Sequence, residues 1–226
     1  MLLTLPIYRC YDGPAFTDGD HKVKKIGLTG GIGTGKTEIA RMLGNLGANV
    51  ISADDMAHRT YAPDTEGWSR VVREFGRDVL TPEGCIDRER LGRRVFSDGA
   101  LLERLNAIVH PLTRDLIEEQ LTKFEDADEQ IVVIEAALLM QVVRVDKKWN
   151  SLVDEIWLVI SDESLILDRL VLRRGLELTE IKERIESQMN VDKHLIYADV
   201  VIENNETLDD LKNTVIALWD KVTVKN

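Results

Sequence analysis

The apolar and polar positions divide the chain into alternating strand-like and helix-like stretches. Short apolar runs occur at residues 25–29, 48–52, 131–134, 154–160 and 198–202. The third, Ile131-Val-Val-Ile134, is continuously β-branched, as expected for a strand covered on both faces of a parallel sheet. Between the runs the spacing changes to that of helices. Ile39, Met42, Leu43 and Leu46 recur at i, i+3, i+4 and i+7 and predict one buried helical face, with Gly44 and Gly47 bringing that helix to an end. Trp68, Val71, Val72 and Phe75 predict a second face, and Leu101, Leu102, Leu105, Ile108 and Val109 a third. Leu211, Val215 and Leu218 line a final helix over residues 208–222. Strands alternating with helices predict an α/β fold with a parallel sheet. Residues 60–125 carry only helical patterns, in pieces broken at Pro63, Gly76, Pro82-Glu-Gly84, Gly99 and Pro111. They read as a helical insertion covering the ligand crevice.

The first strand-like run leads into Gly30-Gly-Ile-Gly-Thr-Gly35-Lys36-Thr37, a complete match to G-x-x-x-x-G-K-[ST] between a strand and a helix. Each position has a physical task. Gly30, Gly31, Ile32, Gly33, Thr34 and Gly35 form a backbone nest whose N–H groups face phosphate oxygens, and the glycines permit the unusual dihedrals this needs. Lys36 reaches the β- and γ-phosphates, and the Thr37 hydroxyl is a Mg²⁺ ligand. The helix that follows turns its positive end to the same anion. Nucleoside triphosphate binding is the expectation, with Mg²⁺ arriving with ATP and no tightly bound prosthetic group.

Further candidates fall at strand ends, where open parallel sheets bind ligands. Asp54 follows the second strand-like run. Its carboxylate either faces a transferred phosphoryl group and takes the proton of an attacking hydroxyl, or N-caps the helix carrying Met56 and Ala57. Glu135 ends the third run, where an acid would support Mg²⁺, through water. After the fourth run, Arg169 and Arg173 share a helix face, and Gly175 can close that helix. Thr179 can begin a second helix in which Arg184 and Gln188 share a face. Two helices presenting arginine suggest a lid that neutralises phosphoryl charge; the plainer alternative is a hairpin whose arginines pair with Glu177, Glu180 and Glu183.

Composition narrows the partners. The 226 residues carry 29 basic and 40 acidic side chains, a net charge of −11. A polyphosphate must therefore be held by local cations, and no basic run offers a footprint for nucleic acid. Cys10 and Cys85 have no metal-like spacing and read as reduced thiols of a cytoplasmic protein. No apolar stretch approaches the ~18 residues needed to cross a bilayer. His21, His58, His110 and His194 show no pair at ligand spacing, which argues against a protein-held zinc.

In this order the motifs resemble the dephospho-coenzyme A kinase family. The resemblance runs from about residue 25 to 220. Leu28–Thr37 is similar to that family's phosphate loop, and Asn49-Val-Ile-Ser-Ala-Asp54 to its D-A-D segment. Asn106-Ala-Ile-Val-His-Pro111 resembles a stretch of its coenzyme-binding helical region. Residues 169–173, 184–188 and 198–204 resemble its lid and last strand. The resemblance implies a three-layer P-loop kinase core with a parallel sheet, a helical coenzyme-binding insertion and a helical lid. It implies transfer of the ATP γ-phosphoryl group to the ribose 3′-hydroxyl of dephospho-coenzyme A. Under it Asp54 orients that hydroxyl and accepts its proton, while Lys36, Arg169 and Arg173 are catalytic. Arg184 binds nucleotide, and His110 binds the acceptor rather than capping a helix before Pro111.

The expected parts are an extension over residues 1–22, a core from 23–59, 126–162 and 191–226, a coenzyme-binding domain over 60–125 and a lid over 163–190. A monomer or weak homo-oligomer is expected. Two positions depart from the family pattern: Ser52 replaces the first Asp of D-A-D, and Ala137-Leu-Leu-Met-Gln141 replaces P-L-L-F-E. Two alternatives remain open: another P-loop small-molecule kinase, or a nucleotide-switched regulatory module.

Overall fold

The computed structural model describes residues 23–137, 139, 146–174 and 195–224. The expected extension over residues 1–22, the lid positions Gly175, Thr179, Arg184 and Gln188, and Gln141 lie outside the described residues. Five strands, β1 (Lys24–Gly30), β2 (Asn49–Ser52), β3 (Ile131–Glu135), β4 (Glu155–Ile160) and β5 (Val200–Glu203), form one sheet in the order β2-β3-β1-β4-β5. β1 runs parallel to β3, with Leu28 opposite Glu135, and parallel to β4, with Gly30 opposite Val159. β4 and β5 are likewise parallel, with Ile160 opposite Glu203.

The central runs, β1, β3 and β4, became strands because both faces are covered. Ile131, Val132, Val133 and Ile134 are all buried. Ile26, Leu28, Val133, Trp157, Val159 and Ile202 pack with Ile39 and Leu43 of α1 (Lys36–Leu46) and with Leu211, Val215 and Leu218 of the last helix, Leu208–Thr223. Burying each such side chain is worth about 1.5–3 kcal/mol against leaving it in water. Thr207 and Asp210 close a capping box at the start of that last helix.

The amino ends of the strands are fastened by carboxylates. Lys25 N–H donates to Asp154 Oδ2 at 2.8 Å while Asp154 N–H returns a bond to Lys25 O at 2.7 Å. Asp199 repeats this with Ile156, accepting its N–H at 2.7 Å and donating to its carbonyl at 2.9 Å.

The chain forms two compact units, one of them Ser52–Lys123 and the other the chain up to Ile51 and from Phe124. The first is helical, with α2 (Ala53–Thr60), α3 (Glu66–Phe75), a 3₁₀ turn at Arg77–Val79, α4 (Arg88–Phe96) and most of α5 (Gly99–Asp126). Its core is Val71, Phe75, Val79, Ile86, Leu91 and Val95, with Leu101, Leu102, Leu105 and Ile108 packed against it.

Two expected breaks are absent. α1 runs through Gly44 and ends at Gly47, whose φ of 115° makes it the left-handed cap. α5 runs through Pro111. The bond forfeited there is the one to Ala107 O, and both residues are exposed, so the loss falls on the solvent side of the helix. Buried Val109, Thr113, Ile117 and Leu121 hold the helix on its other side.

Among the described residues no helix is long and apolar enough to cross a membrane.

Candidate active site

The phosphate loop joins β1 to α1 at the carboxyl edge of the sheet. Two of its glycines are required by close approach as well as by dihedral. A Cβ on Gly30 would stand 2.3 Å from Val159 O, and one on Gly35, where φ is 100°, would stand 2.3 Å from Asn204 Nδ2. Inside the loop Gly31 O accepts from Thr34 Oγ1 at 2.9 Å and from Lys36 Nζ at 3.0 Å. The lysine is thus already folded back along the loop. Glu38 and Ile39 N–H both reach Gly35 O at 3.1 Å, opening a helix whose first N–H groups have no intrahelical acceptor.

Thr37 Oγ1 donates to Glu135 Oε1 at 2.7 Å, from the first turn of α1 to the end of β3. A hydroxyl and a carboxylate held together are a hard oxygen pair of the type Mg²⁺ takes, so these residues fit that ion. Among the described residues no group of three His, Cys, Asp or Glu converges as a metal cage.

Asn204, just past β5, and Arg169, on the helix after β4, brace the loop. The buried Asn204 donates from Nδ2 to Thr34 O at 2.7 Å. Its carbonyl accepts from Ser161 Oγ at 2.7 Å and from Arg169 Nη2 at 2.9 Å. Arg169, on the helix Glu163–Arg174 (α7, following the one-turn α6 at Lys147–Asn150), also donates from Nη1 to Ser161 Oγ at 3.0 Å and approaches Gly33 O at 3.5 Å. Asn205 ties Asp162 on both sides, accepting its N–H at 2.8 Å and donating to its carboxylate at 3.1 Å. Arg173 follows Arg169 by one turn on the same helix.

In the helical unit, Ser52 Oγ accepts Asp55 N–H at 3.2 Å and is the N-cap of α2. Asp54 is therefore not the cap. It is an exposed first-turn residue two positions past the end of β2. One turn on, His58 meets Tyr61 edge to face with ring centroids 6.0 Å apart. Burial pushes the His58 pKa below its ordinary value, helped by the nearby Arg88 cation and opposed by Asp54 and Asp55. Burial pushes the Tyr61 phenol up, with Arg88 opposing. Most other arginines of this unit are occupied: Arg90 with Asp87, Arg93 with Glu89, Arg104 with Glu74 and Arg114 with Asp115, while Arg94 donates to Phe75 O. Arg88 has no ion pair among the described residues. His110 lies mid-helix in α5, so it caps nothing, and burial lowers its pKa.

The family model for dephospho-CoA kinase matches residues 24–210 of this chain. The chain belongs to the dephospho-CoA kinase family. A dephospho-CoA kinase of Geobacter sulfurreducens is 38% identical over 196 residues, covering 87% of this chain and 97% of that protein. One from Dehalococcoides mccartyi is 40% identical over 194 residues, 85% and 94% of the two chains. Among solved structures, TT1252 from Thermus thermophilus matches with a TM-score of 0.74 and 30% identity over 88% of this chain and 98% of its own. The fold is that of a P-loop kinase.

Within this family member, the structure gathers Lys36, Thr37, Glu135 and Arg169 in the sheet-bearing unit. Asp54 and His110 belong to the helical one, and the Arg184 prediction lies outside the described residues. Sequence reasoning missed Asn204 and Ser161 behind the phosphate loop, and it did not foresee the His58–Tyr61 contact. The available signal for Asn204 was its place just past a parallel strand, the edge at which such sheets bind ligands. Ser52 read only as a lost acid, although a Ser three residues before Asp55 is an N-cap signature.

Proposed function

We propose that the protein transfers the γ-phosphoryl group of ATP to the ribose 3′-hydroxyl of dephospho-CoA, giving CoA and ADP, the last step of CoA biosynthesis. The observation that carries this is a phosphate loop already braced for an anion, in a chain of the dephospho-CoA kinase family. Residues 30–37 hold the β- and γ-phosphates. Lys36, which spans the loop to Gly31 O, exchanges that carbonyl for phosphate oxygens. Thr37 and Glu135 would hold Mg²⁺, which when bound supplies charge neutralisation to the phosphates.

Phosphoryl transfer passes through a loose transition state, so positioning and charge stabilisation dominate. Arg169 and Arg173 supply positive charge to the transferred group. Asp54 orients the acceptor hydroxyl and takes its proton late; its exposed carboxylate is a weak base for an alcohol, so orientation is its larger task. His110 and Arg184 contact acceptor and nucleotide respectively. The free, exposed Cys85 supports a reducing, cytoplasmic setting.

The test is a coupled ADP-release assay with MgATP and a panel of acceptors. Turnover is expected with dephospho-CoA and not with adenosine, AMP or shikimate; the opposite pattern makes the chain a different P-loop kinase. Lys36→Ala is expected to damage both ATP binding and turnover, and an intact variant would remove Lys36 from the site.

A further inference from the structure

Resting on the reading of residues 30–37 as the phosphate site, we propose that Asn204 is a positioning residue of the reaction. Its side-chain amide locks the Thr34–Gly35 peptide so that the Gly35 N–H is presented to the nucleotide phosphates. In a planar trans peptide the carbonyl and the following N–H point in opposite directions. The Thr34 carbonyl is held by Asn204 Nδ2 at 2.7 Å, so the Gly35 N–H is aimed away from Asn204. No described residue accepts that N–H.

The lock is needed because the joint is loose. Gly35, on the carboxyl side of this peptide, sits at a positive φ of 100°, and glycine tolerates either sign. Rotating this one peptide would withdraw an N–H from the anion and turn a carbonyl oxygen toward it, exchanging attraction for repulsion. Other loop carbonyls have their own restraints: Gly31 O is held from within the loop, and Gly33 O is approached by Arg169. The Thr34 carbonyl depends on Asn204.

Asn204 is itself immobilised. It is 7% exposed, and its N–H donates to Ile160 O at 2.9 Å. Its carbonyl is gripped by Ser161 and Arg169. A buried side chain carried on a main chain anchored at three points transmits the geometry of the β4 and β5 ends to one amide of the phosphate nest. The same closeness explains why Gly35 cannot carry a Cβ.

The test replaces the donor and then inverts its sign. MgATP affinity is measured by titration calorimetry for wild type, Asn204→Ala and Asn204→Asp at about pH 8 and about pH 5.5, each variant as a ratio to wild type at the same pH. Asn204→Ala loses one hydrogen bond and is expected to weaken binding by about tenfold at both pH values. Asn204→Asp sets a carboxylate against the Thr34 carbonyl and is expected to weaken it by about a hundredfold at the higher pH. At the lower pH, burial and the facing Thr34 carbonyl favour the protonated carboxyl against the opposing Arg169 guanidinium, and its O–H donates to Thr34 O. Its deficit should then shrink to that of the alanine variant or less. KM for dephospho-CoA should stay within about twofold of wild type in both variants.

An Asn204→Asp deficit that does not change with pH, or equal losses for ATP and acceptor, overturns the proposal. Should that variant not fold by near-UV circular dichroism, Asn204→Ala decides alone, and wild-type ATP affinity there overturns it. Wild-type protein that fails to bind MgATP refutes the phosphate-site reading itself, a separate result.

Discussion

Replacing Gly35 by alanine probes the joint between the phosphate loop and α1 through stability. At φ 100° an L-residue is in left-handed territory, at a cost of about 1–2 kcal/mol. The added Cβ would stand 2.3 Å from Asn204 Nδ2, a distance no pair of atoms tolerates, so the amide must move and surrender its bond to Thr34 O. Leaving that buried amide unsatisfied costs about 1–3 kcal/mol. Together these give about 2–5 kcal/mol, a large share of the roughly 5–15 kcal/mol of a typical domain. At about 2–4 °C per kcal/mol for a chain of this size, the melting midpoint of the ligand-free protein should fall by about 4–20 °C, read by far-UV circular dichroism. In an Asn204→Ala background the alanine meets no amide, and its cost should shrink to the backbone part, about 1–2 kcal/mol. A Gly35→Ala variant melting with wild type would refute the strain argument, and an equal cost in both backgrounds would refute the collision.

Asp54→Asn should lower kcat by about 10²–10⁴-fold with little change in ATP affinity, the usual range for a group that handles the proton. Steady-state ADP release measures it, and wild-type turnover would sink the role. Glu135→Gln keeps the shape of the side chain but removes its charge. The Mg²⁺ concentration for half-maximal rate should rise by about tenfold or more, and an unchanged Mg²⁺ dependence would remove Glu135 from the metal's surroundings. His58 and His110 both have lowered pKa values in the fold. The unfolded chain therefore takes up protons near pH 6.5 while the folded one does not. Stability is whole above that pH and declines as pH falls toward the folded values. Arg88→Gln removes one of the lowering influences on His58, so its NMR titration midpoint should move up; an unmoved midpoint would show that burial acts alone.

The strands were legible because a parallel sheet buried on both faces leaves short, continuous runs such as Ile131–Ile134, whose length and β-branched content favour a strand. The phosphate loop was legible because its residue types recur at a fixed local spacing between a strand and a helix. What stayed hidden depends on distant partners. Nothing near Asn204 in the chain announces that it will face Thr34, 170 positions earlier. Pro111 read as a break because local chemistry cannot say which side of a helix faces water. Asp54 could be read as cap or carboxylate until the Ser52 hydroxyl was seen holding the Asp55 N–H. The serine that departs from the family pattern thus freed the aspartate beside it from that task.

The carboxylate clamps at the amino ends of the strands bear on how this fold can change. There the sheet is stitched by Asp154 and Asp199, residues with no part in the proposed chemistry. At the opposite margin the stitching is done by Asn204, Asn205, Ser161 and Arg169, and two of these, Asn204 and Arg169, also touch the phosphate loop. Backbone amides such as Lys25 and Ile156 should therefore keep their slow hydrogen exchange in variants whose site has been rebuilt. The working margin has no such independence. Any redesign of the nucleotide end loosens the fabric it is cut from, while the far hem can be altered without touching the reaction.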